Sequence, residues 1–495
     1  MATTKEKDYL SCPSTSNDEQ SNIESNNQSI VSSATTTTTR TYKVYPRRFA
    51  ILTIFCICSL SSGFQWIEYV IIQNIIVRYY NESLPGDDEA KNNAVTWTSL
   101  SYMVTYIPLM FPAMWLLDRY GLKITCSTGA FLNCLGAIIK CFSVGTNLWW
   151  IAFTGQMICA CAQSFTLGIP PYLAATWFSS DSVSTVTAIA VFGNQVGIAL
   201  GFFIPTILVP DVQDIALIGE RLRLLYYSVA FICLVCFISM IIVFRPRPPT
   251  PPSRAQEMAL QTSEQNYLQT LKRLLMNRWF LLLLLSYGLN TGAFYSISTL
   301  LNPVYMWYFE KTDHASKYAG TIGMLMIAGG IFGSLVGGYV LDKSKAYKTV
   351  TFIVYLLSFL SMVLFTSTVH LHEYVAFFTM TIVGFFMTGY LPVGFEYGVE
   401  ITYPENEAIS SSLLNVSAQI FGLCTTQFQE YLIFKQHKVL ISNVMLCIIL
   451  IVGGVITLLI RSPLRRQNAQ HGGDNLLENN VACAVVSDTN SVVNA

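Results

Sequence analysis

The chain has 495 residues, of which 52% are hydrophobic and only 12% charged, with 29 basic groups balanced by 29 acidic ones. A soluble domain carries about 25% charged residues, so this composition excludes an ordinary water-soluble fold. Zero net charge leaves nucleic acid without the basic surface it needs, so no nucleic-acid partner is expected.

Residues 1–39 are rich in Ser, Thr, Asn and Gln and include a threonine run at 35–39. They cannot bury enough apolar surface to order themselves, and 1–44 reads as a disordered tail. With no apolar segment near the start, a cleaved signal peptide is not expected. From Phe49 onward, apolar blocks fall near 49–75, 94–117, 124–145, 148–168, 184–209, 222–244, 280–307, 318–341, 349–370, 373–391, 408–433 and 439–460. About 20 such residues cross the hydrocarbon core of a bilayer, so the pattern predicts an all-α membrane protein with twelve spans. The polar stretch 245–279 divides the spans six and six. It opens with Arg245-Pro-Arg-Pro-Pro-Thr-Pro-Pro-Ser-Arg254, which cannot be helical, and closes with a basic amphipathic segment around 267–279. The expected domains are therefore a bundle over 45–244, a linker over 245–279, a second bundle over 280–461 and a disordered tail over 462–495.

Basic residues orient the chain. If the N-terminus is cytoplasmic, twenty Lys and Arg residues fall on the inside and eight on the outside. Both termini and the linker are then cytoplasmic. The sequon Asn81-Glu82-Ser83 lies in the first outside loop, where a glycan can be added.

The two halves repeat. The stretch after span 2 reads Trp115-Leu-Leu-Asp118-Arg-Tyr-Gly121-Leu-Lys123, and the one after span 8 reads Tyr339-Val-Leu-Asp342-Lys-Ser-Lys-Ala-Tyr-Lys348. Asp118 and Asp342 are 224 positions apart, and so are Gln195 of span 5 and Gln419 of span 11. Two coincidences at one offset predict two six-helix bundles related by a parallel pseudo-repeat. The Asp-plus-basic loops resemble the inter-helix loop of major facilitator carriers. That resemblance implies that Asp118, Arg119, Asp342 and Lys343 belong to a gate, although the first loop lacks the usual leading Gly.

No nucleophile triad, phosphate loop or dinucleotide fingerprint appears, so no enzyme activity and no cofactor is expected. Eleven of the thirteen cysteines lie in or beside apolar blocks, without the spacing of a disulfide framework or zinc site, and read as small packing residues with no metal to hold. His314, His370, His372, His437 and His471 sit in loops, at span ends or in the tail, and are poor haem ligands.

A closer resemblance rests on longer strings. Tyr45-Pro-Arg-Arg-Phe49, Gly63-Phe-Gln-Trp-Ile-Glu-Tyr69, Phe192-Gly-Asn-Gln-Val-Gly197 and Gly384-Phe-Phe-Met-Thr-Gly-Tyr-Leu-Pro-Val-Gly-Phe-Glu396 look like the feline leukaemia virus subgroup C receptor family. So do Glu400-Ile-Thr-Tyr-Pro-Glu405 and Leu414-Asn-Val-Ser-Ala-Gln-Ile-Phe-Gly422. The similarity runs from about Tyr45 to Arg466. It implies a plasma-membrane carrier of choline and ethanolamine. Haem export and a transport-inactive receptor are the alternatives.

Four positions match that family's substrate site: the rings of Trp66 and Tyr295 and the amides of Gln163 and Gln419. The combination suits a quaternary ammonium, which has no N–H to donate and is attracted by ring faces. The competing readings are interfacial or packing roles for the rings and interhelical bonding for the amides, Gln163 being two turns from Gln156. Tyr102, Asn194, Gln195 and Asn290 are secondary candidates for the central cavity. Gly193, Gly197 and Gly201 at four-residue spacing predict close helix packing.

Ionisable residues inside spans mark ion or proton coupling. Here Glu68, Lys140 and Glu430 fall near span ends, while Glu396 and Glu400 leave span 10. Water at the span ends is expected to keep Glu68 and Glu396 ionised, which argues for potential-driven movement without a proton relay. Glu68 stands where the family usually has Gln, and Pro170-Pro-Tyr172 and Asn302-Pro303 also depart from its strings.

Overall fold

The computed structural model describes residues 45–179, 182–250, 267–309, 315–344, 346–403, 405 and 407–461. Both predicted tails, residues 251–266 of the linker, His314 and His471 lie outside the described residues, as does the side chain of Asp342.

The described chain is helical and contains no strand. Helix α1 (Arg47–Ile67) is followed by a short 3₁₀ turn (Val70–Ile72) and α2 (Gln73–Tyr79). Next come α3 (Asp88–Cys141), α4 (Trp149–Gln163), α5 (Pro170–Trp177), α6 (Val183–Leu208) and α7 (Ile215–Val243). The second half comprises α8 (Tyr267–Met276), α9 (Arg278–Phe309), α10 (Ala315–Ser344), α11 (Tyr347–Thr368), α12 (Glu373–Thr402), α13 (Glu407–Glu430) with a π-turn at Tyr431–Lys435, and α14 (Val439–Leu459). Nine of the described helical segments are long and apolar enough to cross a membrane. Their outer faces are apolar too: Phe231 and Phe378 are each 67% exposed and Ile242 68%. Such surfaces are stable against hydrocarbon rather than water.

Helix α3 accounts for two of the expected blocks. At 54 residues it is about 80 Å long at 1.5 Å per residue, more than twice what one crossing needs. Gly121 breaks it with φ 79° and ψ 179°, a conformation open essentially only to glycine. The two arms on either side are spans 2 and 3. Asp87 caps the first arm by accepting the Ala90 amide at 3.0 Å, so this span starts earlier than hydropathy alone predicts.

The expected block 148–168 is not one helix. Helix α4 stops after 15 residues at Gln163, the Thr166 amide turns back to the Gln163 carbonyl at 3.0 Å, and α5 begins on Pro170. Proline is favoured there because its missing N–H falls where a helix start leaves donors unpaired anyway. Span 11 follows its block closely: the α-helix runs over Glu407–Glu430 and a π-turn extends it to Lys435.

Small residues set the close contacts within the first half. A Cβ at Gly193 would lie 2.9 Å from the Cys56 carbonyl, one at Gly201 2.7 Å from that of Phe64, and one at Gly197 would press on Leu60. The four-residue spacing therefore lays the backbone of α6 directly on α1, as the sequence predicts. At the end of the second half's first segment, Arg273 of α8 pairs with Glu405 at 3.0 Å, and the Asn277 side chain donates to the Ile401 carbonyl.

Candidate functional site

Trp66 is the penultimate residue of α1 and is 4% exposed. Its ring meets that of Tyr295, from the middle of α9, edge to face at 5.3 Å and 77°. Tyr295 rests on Gly422 of α13, where an added Cβ would lie 3.3 Å from the ring and 3.2 Å from the Met103 sulfur. Four helices, two from each half, thus converge on one pair of rings. Gln419 is buried one turn before Gly422. Gln163 is buried at the C-terminal end of α4.

Several candidate residues carry buried polar atoms that pair with nothing among the described residues: Trp66 Nε1, Tyr102 OH, Gln163 Oε1, Gln195 Oε1, and both amide atoms of Asn290. Leaving a buried donor or acceptor unpaired costs about 1–3 kcal/mol each, so each of these atoms gains from any partner it meets. Asn194 is spent differently. Its amide donates to the Ser59 carbonyl at 3.2 Å and lies against Gly63, so it joins α6 to α1.

The sequence puts Glu68 and Lys140 near span ends and predicts that water keeps Glu68 ionised. The structure corrects this. Both side chains are 1% exposed and form an ion pair, Lys140 Nζ bonding Glu68 Oε1. The ammonium also donates to Gln156 Oε1 at 3.1 Å and sits 5.7 Å from the Tyr69 ring centre. Gln156 Nε2 in turn donates to the Gln65 carbonyl at 2.6 Å. Gln65 Nε2 donates to Asn133 Oδ1 at 2.9 Å, and Asn133 Nδ2 to Ser61 Oγ at 3.0 Å. Gln156 therefore does glue helices together, through a charge. The available signal was one lone acid and one lone base, each in its own apolar block.

A second polar cluster joins the halves at the Asn81 end. Asp211 accepts from Arg78 at 2.7 Å, from Asn74 at 2.8 Å and from Ser316 of α10 at 3.0 Å. Asn302 Nδ2 donates to the Ile71 carbonyl at 2.7 Å, and Ser99 bonds Thr299 at 2.9 Å. The Ile71 carbonyl is free for this because α1 has ended and Ile72 is non-helical, with φ −112° and ψ 33°. None of these contacts except their polarity was visible in sequence. At the opposite end Asp118 and Arg119 lie just before the Gly121 break and are exposed; Lys343 is exposed at the end of α10. There the Ser412 hydroxyl reaches the Met114 sulfur across the halves at 3.6 Å.

The Major Facilitator Superfamily pattern matches residues 51–426. The chain is 45% identical to the choline/ethanolamine transporter flvcr2a of Danio rerio over 88% of its own length and 90% of that protein's. It is 44% identical to the choline/ethanolamine transporter FLVCR1 of Felis catus, over 90% of this chain and 77% of that one. Among solved structures, a D-xylose–proton symporter superposes with a TM-score of 0.65 at 12% identity, covering 84% of this chain and 98% of its own. A bacterial homologue of the human lysosomal transporter Spinster, inward-facing and unoccupied, superposes at 0.61 with 15% identity, over 84% and 98%. With its twelve helical spans in two halves, the chain is a multi-pass membrane protein of the major facilitator superfamily, and within it belongs to the feline leukaemia virus subgroup C receptor family.

Proposed function

We propose that this protein carries choline, with ethanolamine as a second cargo, across the plasma membrane by alternating access between its two halves. The observation that carries the reading is the Trp66–Tyr295 ring pair, contributed by opposite halves at their meeting point. A trimethylammonium group offers no N–H, so two ring faces hold it better than a hydrogen-bonding anion would. Each contact is worth about 0.5–2 kcal/mol, strong enough to select a cation and weak enough to release it. The unpaired Gln163 Oε1, the Asn290 amide and the Tyr102 hydroxyl supply partners for the substrate's own hydroxyl. Gln419 completes the polar wall. The named choline/ethanolamine transporters among the relatives support the same cargo.

The bonds at the Asn81 end close one entrance, and the gate formed by Asp118, Arg119, Asp342 and Lys343 governs the other. Both termini are cytoplasmic on the balance of basic residues, and Asn81 lies outside. A haem cargo would call for unneutralised basic side chains along the path, whereas Met103, Phe294 and Gly422 beside the rings are uncharged and the buried Lys140 is paired with Glu68.

The test is uptake of radiolabelled choline, ethanolamine and haem in cells lacking their own carriers. Saturable uptake of choline and ethanolamine is the expected result. Haem movement alone, or no movement at normal surface expression, refutes the proposal. The second of these outcomes leaves a transport-inactive receptor.

A further inference from the structure

The buried pair of Glu68 and Lys140 lies outside the ring site, yet it is built into the segment that carries Trp66. A charged pair in an apolar interior is costly, because each ion gives up several kcal/mol of hydration. Ionisable residues kept inside membrane spans are therefore commonly functional. The pair is buried: Glu68 and Lys140 are each 1% exposed, and Glu68 Oε2 has no hydrogen-bond partner among the described residues.

Its geometry defines a clamp on α1. Trp66 is flanked by Gln65 and, two residues on, by Glu68. Gln65 is held by its side chain to Asn133 and by its carbonyl to Gln156. Glu68 is held by Lys140, which itself holds Gln156. Spans 3 and 4 thereby grip α1 on both sides of Trp66, at the point where the helix stops. Beyond this grip the chain turns through Val70–Ile72, and the Ile71 carbonyl and the Asn74 amide join the polar bonds at the Asn81 end. Helix α4 links the grip to the other candidate wall as well, since Gln163 lies two turns after Gln156.

We infer that Glu68, Lys140 and Gln156 are positioning residues that fix Trp66 against Tyr295 and fasten the site to the Asn81-end gate. The ammonium of Lys140 would repel a cationic substrate, and Glu68 cancels that charge on the spot. What the clamp requires is balance between its charges, so removing one partner does more damage than removing both.

This inference rests on the choline reading above, and the experiment separates the two. Choline uptake is measured for wild type, for Glu68→Gln, for Lys140→Met, for the two combined, and for the combination on Trp66→Ala, all normalised to surface protein. Each single change strands a buried charge and is expected to lower surface level. The combined change restores surface level but releases Trp66, raising KM by about tenfold while maximal rate stays within about twofold, as expected for coupled neighbours. On Trp66→Ala the combined change adds nothing further, because the clamp acts through that ring. A combined variant with wild-type KM overturns the inference, and so does an equal rise in KM on both backgrounds, since a merely structural pair gives one or the other. Wild type that moves no choline defeats the proposed function and the clamp's role with it.

Discussion

Replacing Trp66 by alanine perturbs the site at its most defined contact. The ring is 4% exposed and meets Tyr295 at 5.3 Å, so a cation beside it would be shielded from water. A cation–ring contact in such surroundings is worth about 2 kcal/mol, which corresponds to about a 30-fold loss of affinity. Removing the ring also leaves a cavity, costing about 3–5 kcal/mol of stability, so less protein will reach the surface. The two effects are separable. Initial rates of radiolabelled choline uptake are followed over a range of concentrations and divided by surface protein measured by biotinylation. Trp66→Ala should raise KM about 30-fold at matched surface level, and Trp66→Phe, which keeps a smaller ring face, should raise it by about tenfold or less. An unchanged KM in Trp66→Ala would refute the placement of the cation at this ring. Loss confined to surface level would make Trp66 a packing residue.

Asp211→Ala removes the acceptor shared by Arg78, Asn74 and Ser316. The pair is only partly buried, at 28–29% exposure, so the network is worth about 1–2 kcal/mol, and the closed-to-open ratio at the Asn81 end should fall about tenfold. Energy transfer between dyes at Glu82 and Lys438, on opposite halves at that end, would report it as a longer distance. Gly197→Val would force a side chain onto the Leu60 carbonyl and should lower the melting temperature and surface level, whereas Gly338→Ala, where an added Cβ meets nothing within 4 Å, should change neither. Asn81→Gln should abolish the mobility gain that glycosidase gives wild type; an externally accessible tag at either terminus would refute the orientation. Uptake should slow when high external potassium collapses the membrane potential, which drives a cation by about 2.3 kcal/mol per 100 mV. Because Glu68 is held by Lys140 and not by water, an inward acid gradient at clamped potential should leave uptake nearly unchanged, and accumulation driven by that gradient alone would refute uniport.

Hydropathy is a local property, summed over about 20 residues, so the twelve apolar blocks, their order and the linker between the halves are legible along the chain. The doubled Asp-plus-basic loops and the long strings around Trp66, Gln195 and Gln419 are equally local, and they carry the family. Spacing also sufficed for Gly193, Gly197 and Gly201, because a helix repeats its face every three to four residues and a bare stripe invites a neighbour. Even so, local pattern misjudged span 4, whose turn at Gln163 and restart at Pro170 lie inside a continuously apolar stretch.

Pairing is another matter. Glu68 and Lys140 are 72 positions apart, both fall near the ends of apolar blocks, and for Glu68 that position reads as contact with water. Folding put them in the dry interior because α1 breaks at that depth while the second arm of α3 packs beside it. Asp211 likewise gives no sign in sequence of gathering Asn74 and Arg78 from α2 and Ser316 from α10. The meeting of Trp66 with Tyr295, 229 positions later, required the two halves to be docked. An apolar block states that a helix will enter the bilayer; which of its faces meets lipid, a neighbouring helix or a buried charge depends on the helices packed around it, and only the assembled bundle decides that.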